Sequence, residues 1–340
     1  MKIKNIAFMD LKKFRTLEVS GLGLGCMGMT GFYGQVNQKQ CIQAIQTAIE
    51  NGITLLDTAD NYGFGDNEVL LGSAIAPFRK KIRIASKVGV VAKKENPRMA
   101  VSINGTPQYI KQQCETSLKR LGVSVIDLYY LHHVDPNTPI EETIHAMAEL
   151  VADGLVRHIG LYEMGAQYIR RAQAVHPITV VQAEYSLFSR TAEEQILPLC
   201  KELGIGFVAC APMCRGLLSG TIASFVDLRP DDFRQKFPRF QADNLIHNLS
   251  IVDSLKKVAM DRSCSLSQLS LAWVAAQSPS IVPLFGTTKP SHVLENIKST
   301  GTRLTRREID TINEIVSKGV VRGDRHTEMA KKLYDPPEER

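Results

Sequence analysis

Short runs rich in Val, Ile and Leu recur along the chain with little internal alternation. They are Leu22–Cys26, Ile53–Asp57, Ile82–Lys87, Ile126–His132, His158–Tyr162, Thr179–Gln182, Ile205–Cys210 and Ile281–Phe285. Strands covered on both faces read this way, because neither face is left to water. Amphipathic stretches lie between them. Gln38–Glu50 carries Cys41, Ala44, Ile45, Ala48 and Ile49 at helical spacing and stops at Asn51-Gly52. Tyr109–Leu121 stops at Gly122, Glu141–Val151 at Asp153-Gly154, and Glu193–Leu203 at Gly204. A glycine just past a helix supplies the left-handed turn into the next strand.

About eight strand–helix units with no Pro/Gly/Ser-rich linker predict one α/β domain over residues 1–340, a (β/α)8 TIM barrel. An open doubly wound sheet is the competing architecture. The alternation is interrupted in three places. Residues 217–247 form a long segment without clear periodicity, dense in charge and aromatics, on the cofactor and substrate side. Two helical stretches, Ser250–Asp261 and Ser265–Gln277, precede the eighth strand, and residues 320–340 read as an irregular tail.

Composition narrows the class. Hydrophobic residues make up 44% and charged residues 22%, as in soluble globular proteins. The net charge of +6 is spread along the chain with no aromatic-interleaved basic stripe, which speaks against nucleic acid and suits an anionic cofactor. Seven scattered cysteines suggest reduced thiols and a cytoplasmic protein, and no second Cys or His pair accompanies Cys210 and Cys214 at zinc spacing, so no metal is expected. The apolar run in MKIKNIAFMDLKKF is too short for a signal peptide, and no segment could span a membrane.

Gly23-Leu24-Gly25-Cys26-Met27-Gly28 fits the G-x-G-x-x-G phosphate loop, with Asp57 ending the next strand. A dinucleotide fold starts its helix at those glycines, whereas here helical periodicity waits until about Gln38. The glycines therefore read as a tight strand exit.

Three strand ends carry proton-transfer chemistry: LLDTADNYG with Asp57 and Tyr62, IASKVG with Lys87, and YYLHHVDP with His132. A phenol is a weak acid near neutrality, and a neighbouring ammonium lowers its pKa by stabilising the phenolate. Lys87 is placed to do this, with Asp57 to hold it and His132 to orient a carbonyl. Each residue alone has an ordinary structural reading: a turn tyrosine, a solvent-reaching lysine, a capping aspartate. Their joint occurrence at successive strand ends favours chemistry. His133 is an alternative to His132, although strand alternation would send the two side chains to opposite faces. In IVPLFGTTKP, Gly-Thr-Thr-Lys stands where a phosphate could be held.

Over about residues 14–320 the chain resembles the aldo-keto reductases. The stretches that carry the likeness are LGLGCMGMTGFYG, LLDTADNYG, ASKVG, SLKRLGVSVIDLYYLHHVDP, VVQAEYSLFSR, DDFRQKFPRFQADN and FGTTKPSHVLENI. The resemblance implies a (β/α)8 barrel that uses NADP(H) to reduce a small-molecule aldehyde or ketone, as a monomer or homo-oligomer. It implies Tyr62 as proton donor, Asp57 and Lys87 tuning it, and His132 orienting the carbonyl. It places Gln182 on the nicotinamide carboxamide and Cys210 beside the ring. Met213, Arg215 and Gly216 fall on the pyrophosphate stretch. Thr287, Thr288, Lys289, Glu295 and Asn296 fall on the adenosine-phosphate and adenine side.

The chain departs from the family pattern at two strand ends. Tyr162 stands where the family usually has Ser, and Cys210 where it has the Tyr that stacks on the nicotinamide. The two strands are alternate members of the barrel, so Tyr162 is placed to supply the missing ring. His292 replaces a frequent Arg or Gln. Two other readings are an NADP-binding, channel-regulatory-subunit-like protein with little turnover, and an aldolase using Lys87 as a Schiff base.

Overall fold

The computed structural model describes residues 9–93, 96–328 and 330–331. The basic opening, 1–8, and the end of the expected tail, 329 and 332–340, lie outside the described residues. An antiparallel hairpin, β1 (Leu11–Phe14) and β2 (Leu17–Ser20), comes first. The chain then enters β3 (Gly23–Gly25), β4 (Leu55–Asp57) and β5 (Arg83–Val88). A second antiparallel hairpin follows, β6 (Val90–Lys93) and β7 (Asn96–Ile103). Next come β8 (Leu128–His132), β9 (Ile159–Tyr162), β10 (Val180–Glu184), β11 (Gly206–Cys210) and β12 (Ile281–Gly286). Strands β3, β4, β5, β8, β9, β10, β11 and β12 close into one barrel, each paired in parallel with the next, and β12 returns to β3.

The helices pack outside. They are α1 (Gln38–Glu50), α2 (Asp66–Ile75), α3 (Pro107–Leu121), α4 (Ile140–Ala152), α5 (Ala166–Val175) and α6 (Ile196–Leu203), then α7 (Ala242–Asp261), α8 (Leu266–Ala276), α9 (Pro290–Ile297) and α10 (Arg306–Ile315). The fold is the (β/α)8 barrel that the apolar runs predict.

Two cores explain why the strands lack alternation. Leu24, Leu56, Ile84, Tyr129, Leu131 and Val181 face outward into the helix layer. Leu55, Ala85, Leu128, Tyr130, Val180, Val208, Val282 and Leu284 fill the barrel interior, joined by Phe14, Leu17 and Val19 of the hairpin. With both faces dry, both parities are apolar. Gly206 is required under the hairpin, since a Cβ there would lie 2.3 Å from Phe14 Cγ.

Three expectations change. The helix expected over 193–203 is a short turn, Thr191–Glu193, followed by α6. The segment 217–247 is a chain of short turns around buried Phe237 and Phe240, and α7 begins inside it at Ala242 rather than at residue 250. The first turns of α7 escaped periodicity because one of their inward residues is polar: Asn248 is fully buried and hydrogen-bonds the backbone of Arg322 through both ends of its amide. Residues 320–325 are correspondingly fastened to the body. His247 Nε2 meets the Val320 carbonyl at 2.8 Å, and Arg239 Nε donates to the Gly323 carbonyl. Among the described residues no helix is long and apolar enough to cross a membrane.

Candidate active site

Side chains on one face of a strand repeat every second residue. From the interior residues this rule points to the residues at the barrel's C-terminal mouth: Leu55 to Asp57, Ala85 to Lys87, Tyr130 to His132, Val180 to Gln182 and Val208 to Cys210. On β9 the same step runs from Gly160 to Tyr162. Gly160 leaves room for the Tyr130 ring, which a Cβ would approach to 2.4 Å. That ring lies 5.9 Å below the Lys87 ammonium.

Lys87 is fully buried and is the hub. Its Nζ donates to Asp57 Oδ1, to the Thr58 carbonyl at 2.8 Å and to the Tyr62 hydroxyl at 3.3 Å. Asp57 Oδ2 accepts from the Gln182 amide at 2.8 Å. His132 stands edge-on to the Tyr62 ring, centroids 6.2 Å apart, and its Nδ1 is buried without a hydrogen-bond partner among the described residues. Burial pushes the Lys87 ammonium down, but Asp57 and Tyr62 together raise it above its ordinary value. Burial, with His133 and Lys87, holds the His132 imidazole well below its ordinary value, so the ring is neutral. Tyr62 differs from expectation. Burial dominates and pushes it up to about 12, with Lys87 opposing. The phenol is therefore firmly protonated.

His133 is also corrected. Its ring stacks on His132 at 5.1 Å and is buried, on the same side rather than the opposite one. The strand ends at His132, and His133 adopts φ +74, which breaks the alternation. Glu163 after β9 and Ala211 after β11 are likewise left-handed, at φ +50 and +47.

Tyr162 fills the gap between these groups and β11. Its ring meets His132 edge-on at 4.7 Å, and its hydroxyl lies 3.9 Å from Cys210 Sγ. Burial, reinforced by Glu163 and Glu184, raises the Cys210 thiol, so it is not a reactive thiolate.

Met213, Arg215 and Gly216 lie in the turn after β11. The Arg215 guanidinium is engaged by Glu184 Oε2 at 3.2 Å and by the Phe237 ring at 4.4 Å. Thr287, Thr288 and Lys289 follow β12, and Glu295 and Asn296 sit on α9. Thr287 Oγ1 accepts the Lys289 backbone N–H at 3.2 Å, and Lys289 is the exposed N-cap of α9. An exposed ammonium, two hydroxyls and the first turn of a helix form a donor set suited to phosphate.

The structure also reveals a buried network that sequence reasoning missed. Glu184 Oε1 accepts from Ser189 Oγ at 2.5 Å and pairs with Arg239 at 3.4 Å. Glu163 pairs with Arg325 at 2.8 Å and accepts the Glu184 backbone N–H at 2.6 Å. Two signals could have found it: a glutamate closing the buried run VVQAE, and an arginine between aromatics in FPRF.

Residues 21–317 match the sequence profile of the aldo/keto reductase family. The chain belongs to this family. It is 45% identical over 312 residues to the "Probable aldo-keto reductase 1" of Glycine max, covering 91% of this chain and 89% of that protein. A glycerol dehydrogenase from Gluconobacter oxydans superposes with a TM-score of 0.84 at 30% identity, covering 93% of this chain and 97% of that one. An aldo-keto reductase from Klebsiella pneumoniae, solved with NADPH, superposes at 0.72 with 25% identity, covering 93% of this chain and 99% of that one. Aldo-keto reductases are oxidoreductases, and the mouth of this one carries the tyrosine, lysine, aspartate and histidine in contact.

Proposed function

We propose that the protein reduces the carbonyl group of a small aldehyde or ketone with NADPH, and that Tyr62 donates the proton. The observation that carries this reading is the Lys87 ammonium, buried and bonded at once to Asp57 and to the Tyr62 hydroxyl. When bound, NADPH supplies the hydride to the carbonyl carbon. The Tyr62 O–H points its proton at the carbonyl oxygen, and the phenolate left behind accepts a hydrogen bond from Lys87. Solvent then returns the proton. Neutral His132 donates an N–H to the same oxygen and fixes its direction. Asp57 keeps Lys87 charged and aimed, and its bond from Gln182 ties β10 to the same cluster.

The donor sets suit the cofactor. Thr287, Thr288 and Lys289 would hold the phosphate of the adenosine half, with Glu295 and Asn296 beside it. The oxygen of Gln182 would accept from the nicotinamide carboxamide, and Met213 and Gly216 would cover the pyrophosphate. Tyr162, beside Cys210 and His132, would stack on the nicotinamide in place of the ring that Cys210 lacks. Segment 217–247 would close the cofactor side.

The charge state of Lys87 opposes the aldolase reading, since a Schiff-base lysine needs a free neutral amine. The test is NADPH oxidation with an activated aromatic aldehyde. Turnover should fall about 10²- to 10⁴-fold in Tyr62→Phe while NADPH affinity is kept. Tight NADPH binding without turnover across many aldehydes and ketones would overturn the proposal in favour of a non-catalytic, regulatory role.

A further inference from the structure

The three strands that carry Lys87, His132 and Tyr162 at the mouth also meet at their other ends. Arg83 opens β5, Asp127 immediately precedes β8, and Arg157 lies two residues before β9. Lys87 is four residue steps along the strand from Arg83, about 13 Å. Arg83, Asp127 and Arg157, with Arg79 and Lys80 from the turn before β5, line a cavity of about 400 Å³ on this face.

Asp127 accounts for part of the charge. It is buried, and its Oδ2 accepts from the Ile84 N–H and from Arg79, both at 2.9 Å. Its Oδ1 meets Arg157 Nε at 3.5 Å. This latch fastens β5 to the neighbouring turn and to the entry of β9. Arg83 and Lys80 are left over. Arg83 donates to the Ile82 carbonyl at 3.0 Å, and neither residue has an ion-pair partner among the described residues. Four cations thus face one carboxylate around a concavity. The excess of positive charge around this concavity favours an anion there. The volume falls in the range of small-molecule sites, and guanidinium forks match phosphate oxygens in pairs. Val125 is the apolar residue of the lining, so recognition would rest on the charged group rather than on a ring or chain.

We propose that this cavity binds a small phosphate-bearing anion at the N-terminal face of the barrel, apart from the carbonyl-reducing mouth. Calorimetric titration with inorganic pyrophosphate at low salt tests it. The full-length protein should show a site, weakened as salt is raised, in addition to any pyrophosphate held by the Thr287–Lys289 donors. Arg83→Gln, and independently the exposed Lys80→Glu, should each weaken binding by about tenfold or more. Lys289→Gln, which alters the phosphate donors at the opposite end, should leave this binding intact. Binding that disappears in Lys289→Gln, binding unchanged in both Arg83→Gln and Lys80→Glu, or no binding to the wild type would overturn the proposal. Thermal midpoints measured alongside separate lost binding from lost fold, and Lys80→Glu gives the answer if Arg83→Gln unfolds.

Discussion

Two buried carboxylates near the barrel mouth make opposite use of charge. Asp57 and Glu184 are both 3% exposed, and both face cations. Asp57 holds one ammonium, which keeps a further contact with a tyrosine hydroxyl, and a histidine nitrogen nearby has no partner among the described residues. Glu184 is enclosed by Arg215, Arg239 and Ser189, and those arginines tie the turn after β11 and the 238–240 turn to the barrel. An incomplete set of partners leaves room for a reacting group, whereas a complete one is architecture. Burial alone does not tell the two apart.

The sharpest way to break the contrast is Lys87→Met. It removes the cation from Asp57 and the donor from Tyr62 together. Turnover should drop by about 10²-fold or more, and stability should fall by about 3–5 kcal/mol through the stranded carboxylate. Chemical denaturation beside steady-state kinetics reads both, and a fully active variant would refute the assignment of the hub.

Glu184→Gln should separate the two roles. Stability should fall by about 3 kcal/mol as two arginines lose their counter-charge, with a much smaller change in turnover per folded molecule. Its pH signature has a definite sign. Burial would raise this carboxyl, but Arg215, Arg239 and Arg325 outweigh it and hold it at about 2, below its ordinary 4.5. A depressed acid stabilises the fold above its unfolded pKa, so this contribution fades as pH drops from 4.5 towards about 2. The variant should show a flatter acid limb, and an unchanged limb would assign that stability elsewhere.

A smaller effect is expected at Tyr162. Ring contacts of this kind are worth about 0.5–1.5 kcal/mol. Tyr162→Leu should therefore weaken NADPH binding by up to about tenfold, and Tyr162→Phe should retain most of it. Equal loss in both would point to the hydroxyl beside Cys210 instead of the ring. Smallest is Arg325→Gln, which cuts the pair to Glu163 at the edge of the network and should shift stability by about 1 kcal/mol. A loss as large as that of Glu184→Gln would mean that the C-terminal segment, not Glu184, is the keystone.

The barrel was legible because its strands are apolar on both parities and its helices stop at glycines. Asp57, Lys87 and His132 were legible because proton-transfer side chains at strand ends stand out against Leu, Val and Ile. The Glu184 network was not, since Arg239 and Arg325 lie 55 and more residues from the carboxylate and no local pattern announces such a pairing. The orientation of His133 depends on a single dihedral just past the strand, which periodicity does not encode. The protonation of Tyr62 depends on how deeply the site is buried, and sequence supplied the neighbouring charge without that depth.

His133, Glu163 and Ala211 bear on thermostability engineering. Each is a non-glycine residue in the left-handed region, and each directly follows a strand-end residue of the mouth: His132, Tyr162 or Cys210. Local strain of this kind amounts to about 1–2 kcal/mol per position. A designer scanning for relief would replace all three with glycine. Glycine would ease the turn but widen the angular freedom of the side chain just before it, loosening the aim of His132 and Tyr162. The rim behaves as a set of tensioned clamps, and a more heat-resistant version made by slackening them should turn over more slowly.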